Sequence, residues 1–345
     1  MSTKQNTAIF IGRFRPFHRG HLSAITQAFA ELNLDRMTIL VGSSNRHRSP
    51  KNPFNFDEVF EMMTASIPKE LLNKIHFAPL SDHAKDDAWA AQVRERGNHA
   101  THIVGYDKDE SSYYLKMFPE MKLFQPVPWS LHHTLVNATD VRNLYFDDYL
   151  FNCNGLINML PQGTIDFLDK WRSTEHFDLM KAEYESSLRE VEKLSVYPYK
   201  DHLNIACADN VVICAGHVLL VERKFSPGKG CLAIPGGHKS EHETFLTAAV
   251  RELQEETSIK VPEKALRGSV VGEKMFDDPK RSFPHTRISM AYHYDIKLNP
   301  DGTLPKVTAG DDAMSARWYT LSDVTAMQSN IYDDHYQIIQ HFTGI

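Results

Sequence analysis

Apolar and polar residues alternate along the first 150 residues in a way that predicts strands followed by helices. A short apolar run covers residues 7–12, and apolar residues then recur every three or four positions over residues 20–32. The pairing repeats downstream, with strand patterns in "RMTILVGSS", "NKIHFAPL", "ATHIVGYD" and "KLFQPV" and helical patterns in "FDEVFEMMTASI", "DDAWAAQVRERG" and "NATDVRNLYF". Such alternation predicts βαβ units and a doubly wound parallel sheet, and Thr139 or Asp140 is expected near the cap of the last helix.

The pattern changes after residue 164. Residues 164–194 are charged and helical, and the stretch "SVYPYKDHLN" that follows is typical of a linker. Strand patterns then dominate, in "ACADNVVICAGHVLLVERK", "RISMAYHYDI" and "ARWYTLSDV", with a turn expected at Ala215 and Gly216. The chain is therefore predicted to form two α/β domains, residues 1–185 and residues 204–345, joined by a linker at 186–203.

Composition narrows the classes of protein. The 345 residues are 42% hydrophobic and 24% charged, as in ordinary globular proteins, and a net charge of -6 without a basic face argues against nucleic-acid binding. No apolar run approaches the roughly 20 residues that span a bilayer, and no secretory signal is recognised at the N-terminus. The four cysteines form no CxxC pair, which favours reduced thiols in the cytoplasm. The sequence leaves open whether the chain forms a homo-oligomer.

Two histidines follow the first predicted strand, at the edge where open parallel sheets bind ligands. In "IFIGRFRPFHRGHLSAI", His18 and His21 are three residues apart and Gly12 and Gly20 bracket the first of them. Imidazoles and the amides of a helix N-terminus hold negative charge on phosphoryl oxygens. An HxxH pair alone fits an ordinary helix equally well, so the prediction depends on the GxFxPxH pattern around it.

This stretch resembles the signature of the HxGH nucleotidyltransferase superfamily, which transfers a nucleotidyl group from ATP or CTP. The segment "VGSSNRHRSPKNPFNFDEVFEMM" resembles the archaeal-type nicotinamide mononucleotide (NMN) adenylyltransferases, and "VNATDVRNLY" resembles their SxTxxR motif, with Asn137 in place of Ser. The resemblance implies that His18 and His21 meet the α-phosphate of ATP and that Arg142 holds the β- and γ-phosphates. It also implies a set of substrate-binding residues: Gly12, Arg13, Phe14, Gly42, Ser43, Asn52, Gly105, Asp107, Trp129 and Thr139. Trp129 fits a buried core position equally well, and Arg15 is a further phosphate partner.

A second cluster of charged residues lies in "GGHKSEHETFLTAAVRELQEETSI". Glu252, Glu255 and Glu256 are spaced to share one helix face. Carboxylates crowd together at a cost unless a cation joins them, and hard oxygen ligands suit Mg2+, with Mn2+ as an alternative. The pattern therefore predicts a divalent metal site, although an acidic helix face is also common in solvent.

The spacing of Gly237, Glu243, Arg251 and these glutamates resembles the Nudix box, with Ser258 where the family has a glycine. The resemblance implies a Nudix fold with a mixed sheet and the hydrolysis of a nucleoside diphosphate linked to another group. Glu252, Glu255 and Glu256 would hold the metal, and Glu255 ranks first as the catalytic base. Arg223 and Arg281 would contact the substrate, unless they are surface charges.

The two motif sets together resemble bacterial bifunctional NMN adenylyltransferases fused to ADP-ribose pyrophosphatases. That resemblance implies ATP, NMN, NAD and ADP-ribose as the small molecules that the chain binds. One alternative stays open for each domain. The first domain could instead use nicotinate mononucleotide as its acceptor. The Nudix domain could instead sense a ligand, or act on another nucleoside diphosphate derivative.

Overall fold

The computed structural model describes residues 5–107, 110–131, 134–147, 154–200, 203–279, 281–310 and 312–345. Its contacts divide the chain into two compact units, Met1–Lys181 and Ala182–Ile345. No described helix is both long and apolar enough to cross a membrane.

A five-stranded sheet forms the centre of the first unit. The strands are β1 (Thr7–Gly12), β2 (Arg36–Val41), β3 (Ile75–Pro79), β4 (His102–Val104) and β5 (Lys122–Phe124). The helices are α1 (Arg19–Leu32), α2 (Phe56–Ser66), α3 (Lys69–Leu72), α4 (Asp86–Gly97), α5 (Ala138–Phe146), α6 (Asn154–Met159) and α7 (Gln162–Trp171). A 3-10 helix at Glu110–Met117 and a hairpin of β6 (Ser130–Leu131) and β7 (Thr134–Leu135) complete the unit.

All five strands are parallel, in the order β3-β2-β1-β4-β5. Ile9, Leu40 and Ile103 are fully buried because helices cover the sheet, which is the usual environment of parallel strands. The predicted Rossmann-like parallel sheet is confirmed. Strand order reverses beside β1, so its carboxyl end opens onto the crevice where such sheets bind ligands.

The second unit is built around a mixed sheet. Its strands are β8 (Ile205–Cys214), β9 (His217–Arg223), β10 (Leu232–Ala233), β11 (Gly236–His238), β12 (Val270–Phe276), β13 (Arg287–Asp295) and β14 (Ala313–Thr320). The helices are α8 (Glu175–Leu194), which spans the division between the units, α9 (Phe245–Thr257), α10 (Glu263–Gly268), α11 (Leu321–Ala326) and α12 (His335–Thr343), with a 3-10 turn at Gln328–Asn330.

Strand β8 is central and pairs in parallel with β13, whereas the other pairings are antiparallel. Its alternate residues face opposite ways: Val212 packs in the cluster that contains α9, and Val211 packs in the cluster that contains α12. The predicted hairpin is confirmed, because Ala215 and Gly216 both have positive φ (47° and 75°), as a two-residue turn requires. The result is the predicted α/β/α unit with a mixed sheet.

One local feature differs in detail from the sequence pattern. Residues 186–194, expected in the linker, continue the helix α8 and lie in the second unit. At the start of α5, Thr139 and Asp140 lie near the cap as expected. The capping residue is Asn137, whose side chain accepts a hydrogen bond from the Asp140 amide at 2.9 Å.

Candidate active sites

The two histidines of the first unit lie at the start of α1. Their rings stack with centroids 3.6 Å apart, and the His18 amide donates to Nδ1 of His21 at 3.2 Å. A Cβ on Gly20 would lie 3.1 Å from Nδ1 of His18, so the glycine makes room for this arrangement. Both imidazoles therefore lie at a helix N-terminus, where an anion binds well.

Strands β1 and β2 end side by side at Gly12 and Gly42, where the Gly42 amide donates to the Gly12 carbonyl at 2.9 Å. A Cβ on Gly12 would lie 2.8 Å from the ring of Phe14. Phe14 has a φ of 54° and is 1% exposed, so the chain turns sharply after the strand and the ring packs beneath it. Gly12, Gly42 and Phe14 thus shape the floor of the site.

Two buried arginines, Arg15 and Arg142, lie beside each other near the end of β2. Arg15 donates through Nε to the Phe54 carbonyl at 2.5 Å and through Nη1 to the Gly42 carbonyl at 2.7 Å. Arg142 donates to the Arg15 carbonyl at 2.8 Å and to Oγ1 of Thr139 at 3.1 Å. Each guanidinium is thus positioned by neutral oxygens.

Neither Arg15 nor Arg142 forms an ion pair within the described part of the chain. Burial, followed by the positive charge of the exposed Arg13, lowers the pKa of Arg15 to about 9 and that of Arg142 to about 10. The positive charges of these guanidinium groups repel one another, and a bound anion would relieve that repulsion. The geometry therefore favours a polyphosphate ligand at the carboxyl edge of the sheet.

The loop before α2 supports the site from one side. Asn52 is buried, and its Nδ2 lies 3.5 Å from the Ser43 carbonyl. Ser43 has a φ of 53° and donates through Oγ to Asp82 at 3.2 Å, and Arg46 pairs with the same carboxylate at 2.8 Å. Arg46 and Asp82 carry no recognisable motif, so the sequence did not single them out.

The three remaining predicted residues of this unit lie at other strand ends. Gly105 follows β4, where a Cβ would lie 2.7 Å from Leu115. Asp107 is exposed, and its amide donates to Oε1 of Gln125 at 3.2 Å. Trp129 is half-buried, which leaves part of its ring accessible and is not the environment of a core tryptophan.

In the second unit Arg251 organises three carboxylates. Its Nη2 donates to Glu243 at 2.8 Å and to the His238 carbonyl at 3.0 Å, and its Nη1 donates to Glu252 and to Glu255 at 2.8 Å each. The hydrogen bonds from Arg251 hold the pKa of Glu243 well below its usual value. Arg251 therefore positions the carboxylates of this cluster.

Glu252 and Glu256 are the acidic residues of α9 that line a cavity of about 710 Å³. Glu256 accepts from the Gly236 amide at 3.0 Å, and the carboxyl of Glu252 lies against Gly237, where a Cβ would approach it to 2.5 Å. Burial and the charge of Glu252 together raise the pKa of Glu256 to about 7, against the effect of that amide. A divalent cation would relieve this repulsion, so the donor set fits a hard cation.

Glu255 is placed differently from the other two predicted ligands. Its side chain is 59% exposed, is held by Arg251, and is not part of the cavity lining. Among the residues that the structure describes, no three His, Cys, Asp or Glu side chains converge as a ready metal site. The structure therefore brings together two of the three predicted ligands.

The two predicted arginines both line the cavity. Arg223 donates to the Pro227 carbonyl at 2.8 Å, and its guanidinium lies 4.3 Å from the centre of the Tyr332 ring. Arg281 is nearly buried and forms two hydrogen bonds with Asp334, at 2.8 and 3.0 Å. Arg281 is thus held by the protein itself more firmly than Arg223.

Ser258 ends α9 in the left-handed conformation, with φ 41° and ψ 35°. This is where the Nudix box has glycine, and a residue with a Cβ adopts that conformation at a cost of about 1 kcal/mol. The departure from the motif therefore affects the helix end and leaves Glu252 and Glu256 in place.

Comparisons with known proteins place both halves in recognised families. Residues 9–111 match the cytidylyltransferase-like family, and residues 206–342 match the NUDIX domain. A nicotinamide/nicotinic acid mononucleotide adenylyltransferase from Acinetobacter baylyi is 34% identical over 182 residues, which are 51% of this chain and 92% of that protein. An ADP-ribose pyrophosphatase from Methanocaldococcus jannaschii is 30% identical over 153 residues, which are 44% of this chain and 81% of that protein.

Solved structures match nearly the whole length of the chain. One of them is the crystal structure of a bifunctional NMN adenylyltransferase/ADP ribose pyrophosphatase from Francisella tularensis, complexed with AMP and a Mn ion. It is 30% identical, has a TM-score of 0.85 and covers 99% of both chains. The chain belongs to this bifunctional family. Membership in the bifunctional family confirms the predicted nucleotidyltransferase and Nudix hydrolase domains and the α/β fold class.

The hydrolase cavity also contains residues that the sequence analysis missed. Asp209 is buried in β8, forms a short hydrogen bond with Ser289, and lines the cavity. Arg287 lines it as well and pairs with Glu190 of α8 at 2.7 Å. The three- and four-residue spacing of polar side chains along α8 could have pointed to Glu190, whereas Asp209 and Arg287 carry no recognisable motif.

Proposed function

We propose that the first unit transfers the adenylyl group of ATP to nicotinamide mononucleotide, giving NAD and pyrophosphate. The observation that carries the proposal is that His18 and His21 stack at the start of α1, while Arg15 contacts the Gly42 carbonyl at the end of β2 and accepts from Arg142 through its own carbonyl. A nucleoside triphosphate supplies the negative charge that the two arginines lack. The Francisella and Acinetobacter relatives support a pyridine mononucleotide as the acceptor.

In this reaction a phosphate oxygen of the mononucleotide attacks the α-phosphorus of ATP. The new P–O bond forms as the bond to the bridging oxygen breaks, and pyrophosphate leaves with the electron pair. His18, His21 and the amides at the start of α1 hold the charge that builds on the α-phosphoryl oxygens. Arg142 and the start of α5 hold the leaving pyrophosphate, so positioning and charge suffice without a covalent intermediate.

The remaining predicted residues would form the nucleotide and acceptor pockets. Gly12, Gly42 and Gly105 let the ligands approach the backbone, and Arg13, Phe14, Ser43, Asn52, Asp107 and Thr139 surround them. Trp129 would stack on the pyridine ring, which its half-buried position allows.

For the second unit we propose hydrolysis of ADP-ribose to AMP and ribose 5-phosphate. A water oxygen attacks one phosphorus of the diphosphate, the bridging P–O bond breaks, and the other phosphate leaves. Glu252 and Glu256 would hold Mg2+ or Mn2+, the latter being the ion named for the Francisella structure, and a cation there would activate water and neutralise the diphosphate. Glu255 keeps its proposed roles as a further ligand and as catalytic base, while Gly237, Arg223 and Arg281 would shape or contact the substrate.

Nicotinate mononucleotide is the second candidate acceptor, because the Acinetobacter relative is named for both mononucleotides. A competition assay decides between them: both acceptors are offered at equal concentration with ATP and Mg2+, and the two dinucleotide products are separated by chromatography. NAD should exceed nicotinate adenine dinucleotide at early times. The reverse ratio would contradict the assignment of NMN.

A ligand-sensing role for the Nudix domain predicts binding of ADP-ribose without AMP release, and chromatography with and without Mg2+ tests it. The carboxylates of the Nudix box favour hydrolysis over ligand sensing. If ADP-ribose is not hydrolysed, they favour hydrolysis of another nucleoside diphosphate derivative. A cytoplasmic location and a homo-oligomeric state are proposed from the sequence alone.

A further inference from the structure

One face of α8 forms a wall of the hydrolase cavity, although the helix precedes the segment 206–342 that matches the NUDIX domain. The residues that this helix contributes to the lining are Ser186, Arg189, Glu190, Lys193 and Leu194. Because they are three or four positions apart, they share one side of the helix. The wall is therefore a continuous helix face.

Two contacts hold this face against the second unit. Glu183, one turn before Ser186, is buried and accepts from the Gly228 amide at 3.0 Å. Glu190 accepts from Nη2 of Arg287 at 2.7 Å. Both contacts join α8 to loops and strands of the second unit, so the position of the wall is fixed along two turns of helix.

Most cations of the lining are already engaged. Arg281 pairs with Asp334, Arg287 pairs with Glu190, and Arg223 lies over Tyr332. Arg189 and Lys193 differ: both are exposed, and within the described residues neither forms a hydrogen bond or an ion pair. An anionic ligand could therefore bind Arg189 and Lys193 without breaking a contact that these side chains make within the protein.

Lys193 also lies toward the catalytic end of the cavity. Burial lowers the pKa of His238, Arg287 and Lys193 lower it further, and Glu190 opposes them, so Lys193 is within electrostatic reach of that ring. His238 directly follows Gly237, against which the carboxyl of Glu252 lies. A substrate bound at Glu252 is therefore within electrostatic reach of Lys193, whereas the opposing charge of Glu190 is paired with Arg287.

We propose that Arg189 and Lys193 bind the diphosphate of the hydrolase substrate, so that a helix outside the Nudix segment contributes to substrate affinity. The inference rests on the proposed hydrolysis of ADP-ribose. The diphosphate carries the negative charge of that molecule, whereas adenine and the riboses are neutral. It is therefore the part that two unpaired cations attract.

The test compares Arg189→Ala, Lys193→Ala and the double variant with Lys264→Ala. Lys264 is an exposed lysine of α10 outside the cavity lining and serves as the matched control. In steady-state hydrolysis of ADP-ribose with Mg2+, the KM of the double variant should rise about tenfold while kcat changes less than about twofold. Added salt should raise the KM of the intact chain more steeply than that of the double variant. A thermal unfolding temperature equal to that of the intact chain reports that each variant is folded.

A KM in the double variant equal to that of Lys264→Ala would overturn the proposal, as would a fall in kcat at unchanged KM. If the intact chain releases no AMP from ADP-ribose, the proposed hydrolysis fails instead. Calorimetric titration with ADP then tests the inference separately. Weaker binding by the double variant than by Lys264→Ala supports it, and equal binding overturns it.

Discussion

Gly237→Ala should abolish most ADP-ribose hydrolysis without unfolding the second unit. A Cβ at this position would lie 2.5 to 2.6 Å from the carboxyl atoms of Glu252. Those atoms end a flexible side chain, so they can rotate away at small cost to the fold. The adjacent Gly236 makes a useful contrast, because its Cβ would lie 2.6 Å from the backbone oxygen of Ala208 in the neighbouring strand.

The magnitude follows from the displacement. To restore an ordinary carbon–oxygen contact the Glu252 carboxyl must move by about 1 Å, and a misplacement of this size in a catalytic group costs roughly a hundredfold in rate, or about 2.7 kcal/mol. The free energy of unfolding should change by less than about 1 kcal/mol for Gly237→Ala. For Gly236→Ala it should fall by about 1–3 kcal/mol, because backbone must move.

Initial rates of hydrolysis over a range of Mg2+ concentrations, together with thermal unfolding, measure both effects. Gly268→Ala is the control, because its Cβ would meet no atom within 4 Å. Gly237→Ala should need more Mg2+ for half-maximal rate and should synthesise NAD normally. Hydrolysis at the rate of the intact chain, or a loss of stability equal to that of Gly236→Ala, would refute the reasoning.

Three further predictions follow from the structure. His21→Ala should lower NAD synthesis by a hundredfold or more, since charge stabilisation of the transferring group contributes roughly 3 kcal/mol, and should leave ADP-ribose hydrolysis intact; near-normal NAD synthesis contradicts it. Burial alone would raise the pKa of Glu58, but hydrogen bonds led by that from Arg48 hold this pKa below its usual value. The ionised Glu58 therefore stabilises the folded protein at neutral pH, and this stabilisation is lost as the pH falls through the pKa of Glu58 in the folded state. Glu58→Gln should therefore lower the free energy of unfolding by about 1–3 kcal/mol at pH 7 and by much less at pH 3, and an equal difference at both pH values in denaturant titrations argues against it. The fragment 182–345 should hydrolyse ADP-ribose with a lower KM than the fragment 204–345, which lacks the wall of α8, and equal KM values would show that α8 is dispensable.

Much of the fold could be predicted because apolar periodicity decides it. The strand at Thr7–Gly12 and the helix at Phe56–Ser66 agree with their patterns to within a residue or two. The turn at Ala215 and Gly216 was also predicted, because glycine accepts positive φ readily, although Ala215 adopts a positive φ that its residue type does not favour.

The details of the candidate sites depend on packing that no local pattern contains. The spacing puts three glutamates on one helix face, but Arg251 draws Glu255 away from Glu256, and only the side-chain positions reveal this. Likewise, the sequence cannot tell whether Arg281 meets a substrate or Asp334, which is 53 positions further along the chain. The wall of α8 was missed for the same reason, because its partners come from distant strands and loops.

The central claim is that one chain carries two separate phosphoryl-transfer reactions in two sites. Chromatographic analysis of products from the intact chain, His18→Ala and Glu256→Gln tests it most directly, with ATP and NMN in one reaction and ADP-ribose in another. The intact chain should give NAD with an equal amount of pyrophosphate, and AMP with an equal amount of ribose 5-phosphate. His18→Ala should lose only NAD, and Glu256→Gln should lose only AMP. The account would be contradicted if either single substitution abolished both products. It would also be contradicted if neither substitution abolished any product.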